Sequence, residues 1–102
     1  MKIKIMNEGK EYAYILMDKG EYIGSCCVSY DYLHSFQILE EYRGHKYGKY
    51  LFQRVISHHK NQELYLLVRT DNIIARKIYE KAGFVVNPKA SNEEVLFMDY
   101  VR

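Results

Sequence analysis

The stretch that decides the fold is Asn72-Ile73-Ile74-Ala75-Arg76-Lys77-Ile78-Tyr79-Glu80-Lys81-Ala82-Gly83-Phe84. Thr70-Asp71-Asn72 is typical of a helix start and Gly83 of a helix stop, so a helix is predicted between them. A short apolar run, Leu64 to Val68, precedes it and is typical of a buried strand. Phe84-Val85-Val86 follows as a further strand. The alternation of strand, helix and strand indicates an α/β arrangement.

The predicted helix carries two stripes. Asn72, Ala75 and Tyr79 lie at i, i+3 and i+7 and therefore share one side of the helix. An amide, a small residue and a phenol make an unusual core-facing set, since a buried phenol needs a hydrogen-bond partner. Two interpretations of this phenol stay open: a proton donor in a site, or a ring packed at the edge of a core. The neighbouring stripe, which we expect to face the sheet, consists of Ile74, Ile78 and Ala82.

A second stretch opens another helix: Glu41-Tyr42-Arg43-Gly44-His45-Lys46-Tyr47-Gly48-Lys49-Tyr50-Leu51. Free backbone N–H groups at a helix start, together with a glycine in the preceding turn, are suited to bind a phosphate group. The side chains of Arg43, Lys46 and Lys49 add positive charge. In the alternative interpretation the two glycines end a turn and allow close packing, and the basic side chains are solvated. The stretch alone does not decide between them.

The remaining sequence predicts strands and the rest of this helix. From Tyr47 to Lys60 apolar residues recur at i and i+4, which predicts an amphipathic helix. His58 and His59 fall near its C-terminus, where the helix dipole favours cationic side chains. No residue at metal-ligand spacing accompanies them, so no metal site is predicted. The other predicted strands are Lys2 to Ile5, Tyr12 to Met17, Tyr22 to Tyr30, Leu33 to Leu39 and Glu94 to Val101.

The predicted order of elements is therefore β-β-β-β-α-β-α-β-β. It indicates an α/β (α+β) fold with a single mixed, mostly antiparallel sheet of about six or seven strands, flanked by two main helices. A chain of 102 residues with 48% apolar residues is sufficient for one core. We expect a single domain over residues 1–102.

Charge and composition argue against several classes of function. Fifteen basic and thirteen acidic residues give a net charge of +2, too small to indicate nucleic-acid binding. No apolar run approaches the ~20 residues of a membrane span, and the alternating Met1-Lys2-Ile3-Lys4-Ile5 differs from a signal peptide. Cys26 and Cys27 are strand neighbours that point to opposite faces, so no internal disulfide is expected. These features predict a soluble, cytoplasmic protein.

The two stretches, in this order and separated by one helix and one strand, resemble the two motifs of the GNAT N-acetyltransferase superfamily. The resemblance runs from about Leu33 to Val101. It implies transfer of an acetyl group from acetyl-coenzyme A to a primary amine, on a small molecule or a protein, without a metal. The strand order agrees with the family over that span.

The resemblance also assigns roles to residues. The pantetheine arm would lie between two diverging strands, the one that ends at Phe36-Gln37-Ile38 and the one from Leu64 to Val68. Tyr79 would be the general acid that protonates the departing thiolate, and a backbone N–H would stabilise the oxyanion. The implied cofactor-binding residues are Phe36, Gln37 and Ile38 on the strand, Arg43, Gly44, His45, Lys46, Tyr47, Gly48 and Lys49 around the pyrophosphate, and Asn72 beside the pantetheine amide.

Two positions depart from the family pattern. Lys46 stands where the family usually has the middle glycine of its phosphate loop, so it either costs strain or blocks the approach of a phosphate, or else compensates with its charge. Leu67 stands where many members have a glutamate that acts as base for the amine. Tyr32 and His34 are the available substitutes. His34 is preferred, since the unperturbed pKa of a histidine lies near neutrality.

The family normally has two helices between its first two strands, and they shape the acceptor pocket. Here only Asn7 to Lys10 separates the predicted strands. An open acceptor side suits a large or flexible acceptor, or a pocket completed by a second subunit. The strands Tyr12 to Met17 and Tyr22 to Tyr30 would then form a dimer surface. The alternatives are a degenerate relative that binds acyl-coenzyme A or a protein partner, and a nucleic-acid-binding module.

Overall fold

The computed structural model describes residues 1–101 and confirms the predicted order of elements. Two short 3-10 turns, Glu40–Tyr42 and Pro88–Ala90, were not predicted. The strands and helices are β1 (Lys2–Glu8), β2 (Glu11–Asp18), β3 (Glu21–Ser29), β4 (Tyr32–Ile38), α1 (Tyr47–His58), β5 (Tyr65–Arg69), α2 (Ile73–Ala82), β6 (Phe84–Val86) and β7 (Val95–Tyr100).

The strands form one seven-stranded mixed sheet in the order β1-β2-β3-β4-β5-β7-β6. Within residues 1–101 the pairing of β4 with β5 is parallel and every other pairing is antiparallel. This confirms the predicted mixed, mostly antiparallel sheet with two main helices. β1 and β2 are joined by the two-residue turn of Gly9 and Lys10, so no helix stands between them.

Both helices cover the same face of the sheet. Helix α1 buries Leu51, Phe52, Val55 and Ile56, the i and i+4 pattern that its sequence predicts. Helix α2 meets α1 where the Tyr79 ring stacks on Phe52, with centroids 5.3 Å apart. The core below consists of one side of each central strand: Tyr14, Leu16, Ile23, Cys26, Val28, Leu33, Leu66, Val68 and Met98, closed by Leu64 and Phe84.

Helix α2 presents to the core a stripe that shares only Ala82 with the predicted one. Ala75 and Tyr79 pack against the buried cluster, whereas Ile74 is 78% exposed. The expectation that Ile74 faces the sheet is therefore wrong. Adjacent helical residues point about 100° apart, so once Ala75 and the ring of Tyr79 face Phe52, Ile74 must point away. Ala75 and the ring of Tyr79 set the orientation of α2, not its β-branched side chains.

The opposite face of the sheet, here called the open face, carries a ladder of stacked rings. His34 and Tyr32 stack at 5.0 Å, Tyr32 and Tyr65 at 5.1 Å, and Tyr65 and Phe97 at 4.8 Å. The ladder crosses β4, β5 and β7, and no helix among residues 1–101 covers it. Leu67, 46% exposed, lies on the same face opposite Phe97.

The open face consists of one side of each strand, not of whole strands. Tyr14 and Leu16, inside the predicted surface Tyr12 to Met17, are fully buried under α1. Residues on the other side of β2, such as Ile15, are half-buried. The strands predicted as a dimer surface are therefore exposed on one side at most. Separately, none of the helices in residues 1–101 has the length and apolar character needed to cross a membrane.

His58 and His59 close the polar end of the core. The Tyr14 hydroxyl lies 2.5 Å from Nδ1 of His58 and 2.6 Å from Nε2 of His59. Nδ1 of His59 lies 2.5 Å from Oε1 of Gln62, whose amide donates to the Tyr30 carbonyl at 2.8 Å. His59 is only 3% exposed. The helix-dipole prediction for this pair is incomplete, because the histidines also satisfy a buried phenol.

Candidate active site

The site is built around a gap between β4 and β5. These strands pair at Tyr32 and Tyr65 and diverge beyond that position. The divergence agrees with the expected splay of the strand ending at Ile38 from the strand after Leu64. It leaves one edge of β4 without a partner strand, so backbone groups there are available to a ligand.

A β-bulge lies on β4 beside this gap. The register against β3 shifts between Ser25 and Cys27. Ser25 lies opposite Gln37 and Cys27 opposite His34, so β4 has one residue more than β3 between these two pairs. Ser35, the extra residue, has φ +54°, in the left-handed region that non-glycine residues rarely adopt. The bulge places His34 on the open face and Phe36 against Phe52 on the helix face. Side chains from both faces of the sheet therefore flank the same gap.

The turn before α1 has the geometry of an anion site. Gly44 has φ +85° and Lys46 has φ +65°, so two of its residues are left-handed. The first helical hydrogen bond runs from the Tyr50 N–H to the Lys46 carbonyl, and no side chain caps the helix. The N–H groups of Tyr47, Gly48 and Lys49 are therefore those a helix leaves to other partners.

Lys46 is the departure from the family pattern that the structure clarifies. The position does require a positive φ, and the lysine adopts it at a cost of ~1–2 kcal/mol relative to glycine. The strain is accepted in the fold, and the lysine's charge is placed at the start of α1. The strain foreseen for this position is therefore present, and compensation by the lysine's charge stays a prediction.

Three side chains fasten the turn to the rest of the molecule. Nε of Arg43 donates to the Ile38 carbonyl at 3.0 Å and holds the turn to the end of β4. The Tyr47 hydroxyl donates to Asp18 at 3.0 Å, and Tyr42 donates to a carboxylate oxygen of Glu21. Arg43 therefore positions the loop, and its phosphate contact stays a prediction.

Gly48 brings α1 close to the gap. A Cβ at this position would lie 3.3 Å from the ring of Phe36 and 3.6 Å from the side chain of Ile38. The close-packing interpretation of Gly48 is therefore correct. It does not compete with phosphate binding, because the same approach sets the start of α1 beside β4.

Tyr79 lines the gap from the helix face. Its ring stacks on Phe52 and lies 6.2 Å from the ring of Phe36. Burial, and then the charge of Cys26, raise the pKa of Tyr79 to about 12. Among residues 1–101 no hydrogen-bond partner of its hydroxyl is found. This phenol is protonated near neutrality and free to donate, as a general acid must be.

Asn72 begins α2 and keeps one end of its amide free for other contacts. Its Oδ1 accepts from the Ala75 N–H at 3.2 Å and caps the helix. The cap fixes the side chain beside the C-terminal end of β5. Its Nδ2 group remains available to a carbonyl oxygen of a ligand. The side chain of Gln37 donates to the Tyr22 hydroxyl on the open face, and the ring of His45 lies against that of Tyr47. The cofactor contacts expected of these two residues stay predictions.

His34 lies across the sheet from Tyr79 with both ring nitrogens occupied. Nε2 is 2.9 Å from Oγ of Ser29, and Nδ1 is 2.9 Å from Oγ of Ser35. The sequence did not single out either serine. The available indication was the pair His34-Ser35, two polar residues in a row that break the alternation of β4 and mark a bulge.

The structure thus brings Phe36, Gly48 and Tyr79 together on the helix face of the gap and leaves His34 on the open face. Among residues 1–101 no group of three histidine, cysteine or acidic residues is placed to hold a metal ion. Both cysteines are unbridged, as expected, with Cys26 buried.

Residues 2–84 match the acetyltransferase (GNAT) family. This chain belongs to the GNAT family. Solved structures with low sequence identity to this chain have the same fold. No curated protein sequence is significantly similar to this GNAT chain.

Three of the solved structures that share the fold illustrate the similarity. One is a Bacillus anthracis protein assigned as a streptothricin acetyltransferase, solved with acetyl coenzyme A. Its sequence is 21% identical and its TM-score is 0.81, and the alignment covers 95% of this chain and 65% of that protein. Spermidine N-acetyltransferase of Vibrio cholerae is 19% identical with a TM-score of 0.77, and the alignment covers 92% of this chain and 67% of that protein. The ribosomal-protein-S18-alanine N-acetyltransferase of Escherichia coli is 19% identical with a TM-score of 0.79, and the alignment covers 92% of this chain and 70% of that protein. This GNAT chain therefore spans about two thirds of each of these proteins.

Proposed function

We propose that this protein is an acetyl-coenzyme A-dependent N-acetyltransferase that moves the acetyl group to a primary amine by direct attack. The observation that carries the proposal is the gap between β4 and β5, with the free hydroxyl of Tyr79 on its helix face. Family membership supports acyl transfer in general. A related structure from Elizabethkingia anophelis, 15% identical with a TM-score of 0.79, was solved with acetyl-CoA bound.

In this proposal the phosphates lie at the start of α1. The N–H groups of residues 47–49 and the charges of Lys46 and Lys49 would bind the pyrophosphate. The pantetheine arm would enter the gap, bonding the free edge of β4 at Phe36 and Ile38 and the amide of Asn72. These contacts would put the thioester between the open face and Tyr79.

The chemistry needs a base and an acid on opposite sides of the thioester. A neutral amine attacks the carbonyl carbon, and a β4 backbone N–H stabilises the negative oxygen. Tyr79 gives its proton to the departing coenzyme A thiolate. His34, on the open face, is the base that takes the proton from the amine, since Leu67 offers no carboxylate there.

A degenerate, non-catalytic relative is the second candidate function. The observations that favour it are the strained Lys46 in the phosphate loop and the apolar Leu67 at the base position. Such a protein would bind acyl-coenzyme A without turning it over. The two candidates predict the same binding and different thiol release.

Calorimetric titration with acetyl-coenzyme A, followed by thiol release with a panel of alkyl, aryl, polyamine and peptide N-terminal amines, tests both candidates. The enzyme hypothesis predicts saturable binding and release of free thiol with at least one class of amine. Binding without release from any amine would favour the degenerate relative. No binding at millimolar acetyl-coenzyme A would overturn both. A Lys46→Glu variant, which reverses the charge at the loop, is the control that binding occurs there.

A further inference from the structure

We propose that Ser35 is a catalytic hydroxyl that carries the proton from the acceptor amine to His34, and that Ser29 positions the other side of the same ring. This inference rests on the proposed function and names the route of the proton on the open face. The sequence gives no carboxylate at the position of Leu67. The bulge of β4 supplies a different arrangement in its place.

The geometry occupies both nitrogens of the imidazole. Oγ of Ser35 is 2.9 Å from Nδ1 of His34, and Oγ of Ser29 is 2.9 Å from Nε2. A substrate amine therefore does not reach a lone pair of the ring directly unless a serine moves. A hydroxyl, however, donates one proton and accepts another, so it can pass a proton without moving.

Ser35 is the serine that lies on the part of β4 beside the gap. It is exposed and is the extra residue of the bulge, on the part of β4 that β5 leaves unpaired. Ser29 lies on β3, within the paired part of the sheet. The hydroxyl that an amine reaches is therefore that of Ser35, and Ser29 contacts the other nitrogen of the histidine, on the side away from the gap. The ring of Tyr32, stacked on His34 at 5.0 Å, fixes the plane of the imidazole.

The relay requires one tautomer of the resting histidine. Nε2 of His34 carries the proton and donates to Oγ of Ser29, which leaves Nδ1 as the acceptor of the Ser35 hydroxyl. After transfer, the imidazolium donates from both nitrogens to the two serine oxygens. Each charged N–H thus has a partner already in place.

The reaction moves one proton from the amine and one proton to the thiolate. The amine nitrogen bonds to the acetyl carbon and gives one proton to Oγ of Ser35, while the hydroxyl proton of Ser35 moves to Nδ1 of His34. The carbon–sulfur bond breaks, and the thiolate takes the proton of Tyr79. Solvent then removes a proton from His34 and returns one to Tyr79. The products are an amide and coenzyme A, with no other reactant.

The positive φ of Ser35 makes a clean test possible. Glycine favours φ +54° at least as well as serine, so Ser35→Gly removes the hydroxyl and keeps the bulge. We expect Ser35→Gly to lower kcat/KM for the best amine of the panel by about 10²-fold, with the KM for acetyl-coenzyme A unchanged. Combining Ser35→Gly with His34→Gln should cost no more than His34→Gln alone, because residues that act as a unit are not additive.

Two readouts separate a relay from a structural role. In His34→Gln and Ser35→Gly alike, the pH dependence of kcat/KM should reduce to that of the amine's own ionisation, which remains in every variant because only the neutral amine attacks. Ser25→Ala, which removes a hydroxyl bonded to Tyr22 on the same face, is the matched control and should leave the profile intact. The ¹⁵N shifts of the imidazole should show the Nε2–H tautomer in the resting protein, whether or not an amine is known.

The possible outcomes distinguish failure of the relay from failure of the proposed function. If the wild type releases thiol and Ser35→Gly matches it in rate and pH profile, the relay is wrong and the proposed function stands. An Nδ1–H tautomer in the wild type would likewise overturn the relay. If no amine releases thiol from the wild type, the proposed function fails and the relay fails with it.

Discussion

Lys46 shows how one residue can serve two opposed demands. Its φ of +65° strains the backbone, and its charge stands at an uncapped helix start where a phosphate is proposed to bind. Glycine would remove the strain and the charge together. The residue is therefore a place where stability and ligand binding should change in opposite directions.

Replacing this lysine separates the two effects. We expect Lys46→Gly to raise the free energy of unfolding by up to about 1 kcal/mol, the relief of left-handed strain less the added chain entropy of glycine. The affinity for acetyl-coenzyme A should fall a few-fold. Lys49→Gly, inside α1, is the control and should lower stability by about 1 kcal/mol. Urea unfolding and calorimetry measure both; a destabilised Lys46→Gly would contradict the account of the loop.

Buried acids of the core should make stability fall at alkaline pH. Burial, and then the charge of Cys27, raise the pKa of Cys26 from 9.0 to about 12, and burial also raises that of Tyr79 to about 12. Because both folded-state values exceed the unfolded ones, their stabilising contribution is complete below about pH 9 and is lost as the pH rises toward 12.

Cys26→Ala tests this dependence. The variant should be less stable than the wild type at neutral pH, since it leaves a small cavity, and its stability should fall less steeply in alkali. Urea midpoints collected from neutral to strongly alkaline pH give the two slopes. Equal slopes in the variant and the wild type would show that the thiol does not contribute.

For single residues, the sequence predicts those roles that depend on local patterns. Asn72 and Gly83 were correctly assigned as cap and stop, because side-chain capping and positive φ are local properties. The partnership of Tyr14 with His58 and His59 was not predictable. Those residues are more than forty positions apart, and only the packing of α1 on β2 brings them together.

At the scale of elements, the conformation of β4 decides the site. The bulge at Ser35, the bond from Arg43 to Ile38 and the contact of Phe36 with Gly48 all act on this strand. Its pairing with β3 also depends on a glycine. A Cβ on Gly24 would lie 2.4 Å from the Gln37 carbonyl oxygen, a backbone atom that cannot move aside.

Gly24→Ala should therefore separate β3 from the end of β4. We expect a loss of about 2–3 kcal/mol in the free energy of unfolding, as for other overpacked core positions, with weaker acetyl-coenzyme A binding. Ser25→Ala, on the neighbouring position of β3, should be within about 0.5 kcal/mol of the wild type. Thermal or urea unfolding decides the matter, and a Gly24→Ala variant of normal stability would refute the close approach.

The elements themselves were largely predictable and their orientation was not. The i and i+4 apolar pattern of α1 gave its buried side correctly. The same reasoning placed Ile74 of α2 toward the sheet, where the structure has Ala75 and Tyr79. Two adjacent stripes of similar apolarity cannot be ranked by periodicity. The choice came from the fit of the Tyr79 ring on Phe52, a tertiary contact.

For the whole molecule, the short turn between β1 and β2 is the defining feature. It leaves the ring ladder and Leu67 without a covering helix among residues 1–101. The family resemblance predicted the sheet, the helices and the gap between β4 and β5, because those follow from element order. The acceptor does not follow from fold, since the same fold carries many functions.

The central claim is that acetyl-coenzyme A occupies the gap with its sulfur beside the phenol of Tyr79. The most direct measurement compares Tyr79→Phe with Tyr30→Phe, an exposed tyrosine in the turn before β4, in thiol release and in calorimetric binding of acetyl-coenzyme A. We expect Tyr79→Phe to lose about 10²-fold or more in turnover at nearly unchanged affinity, while Tyr30→Phe matches the wild type. Equal losses of turnover and affinity in Tyr79→Phe, or no loss of turnover, would contradict it.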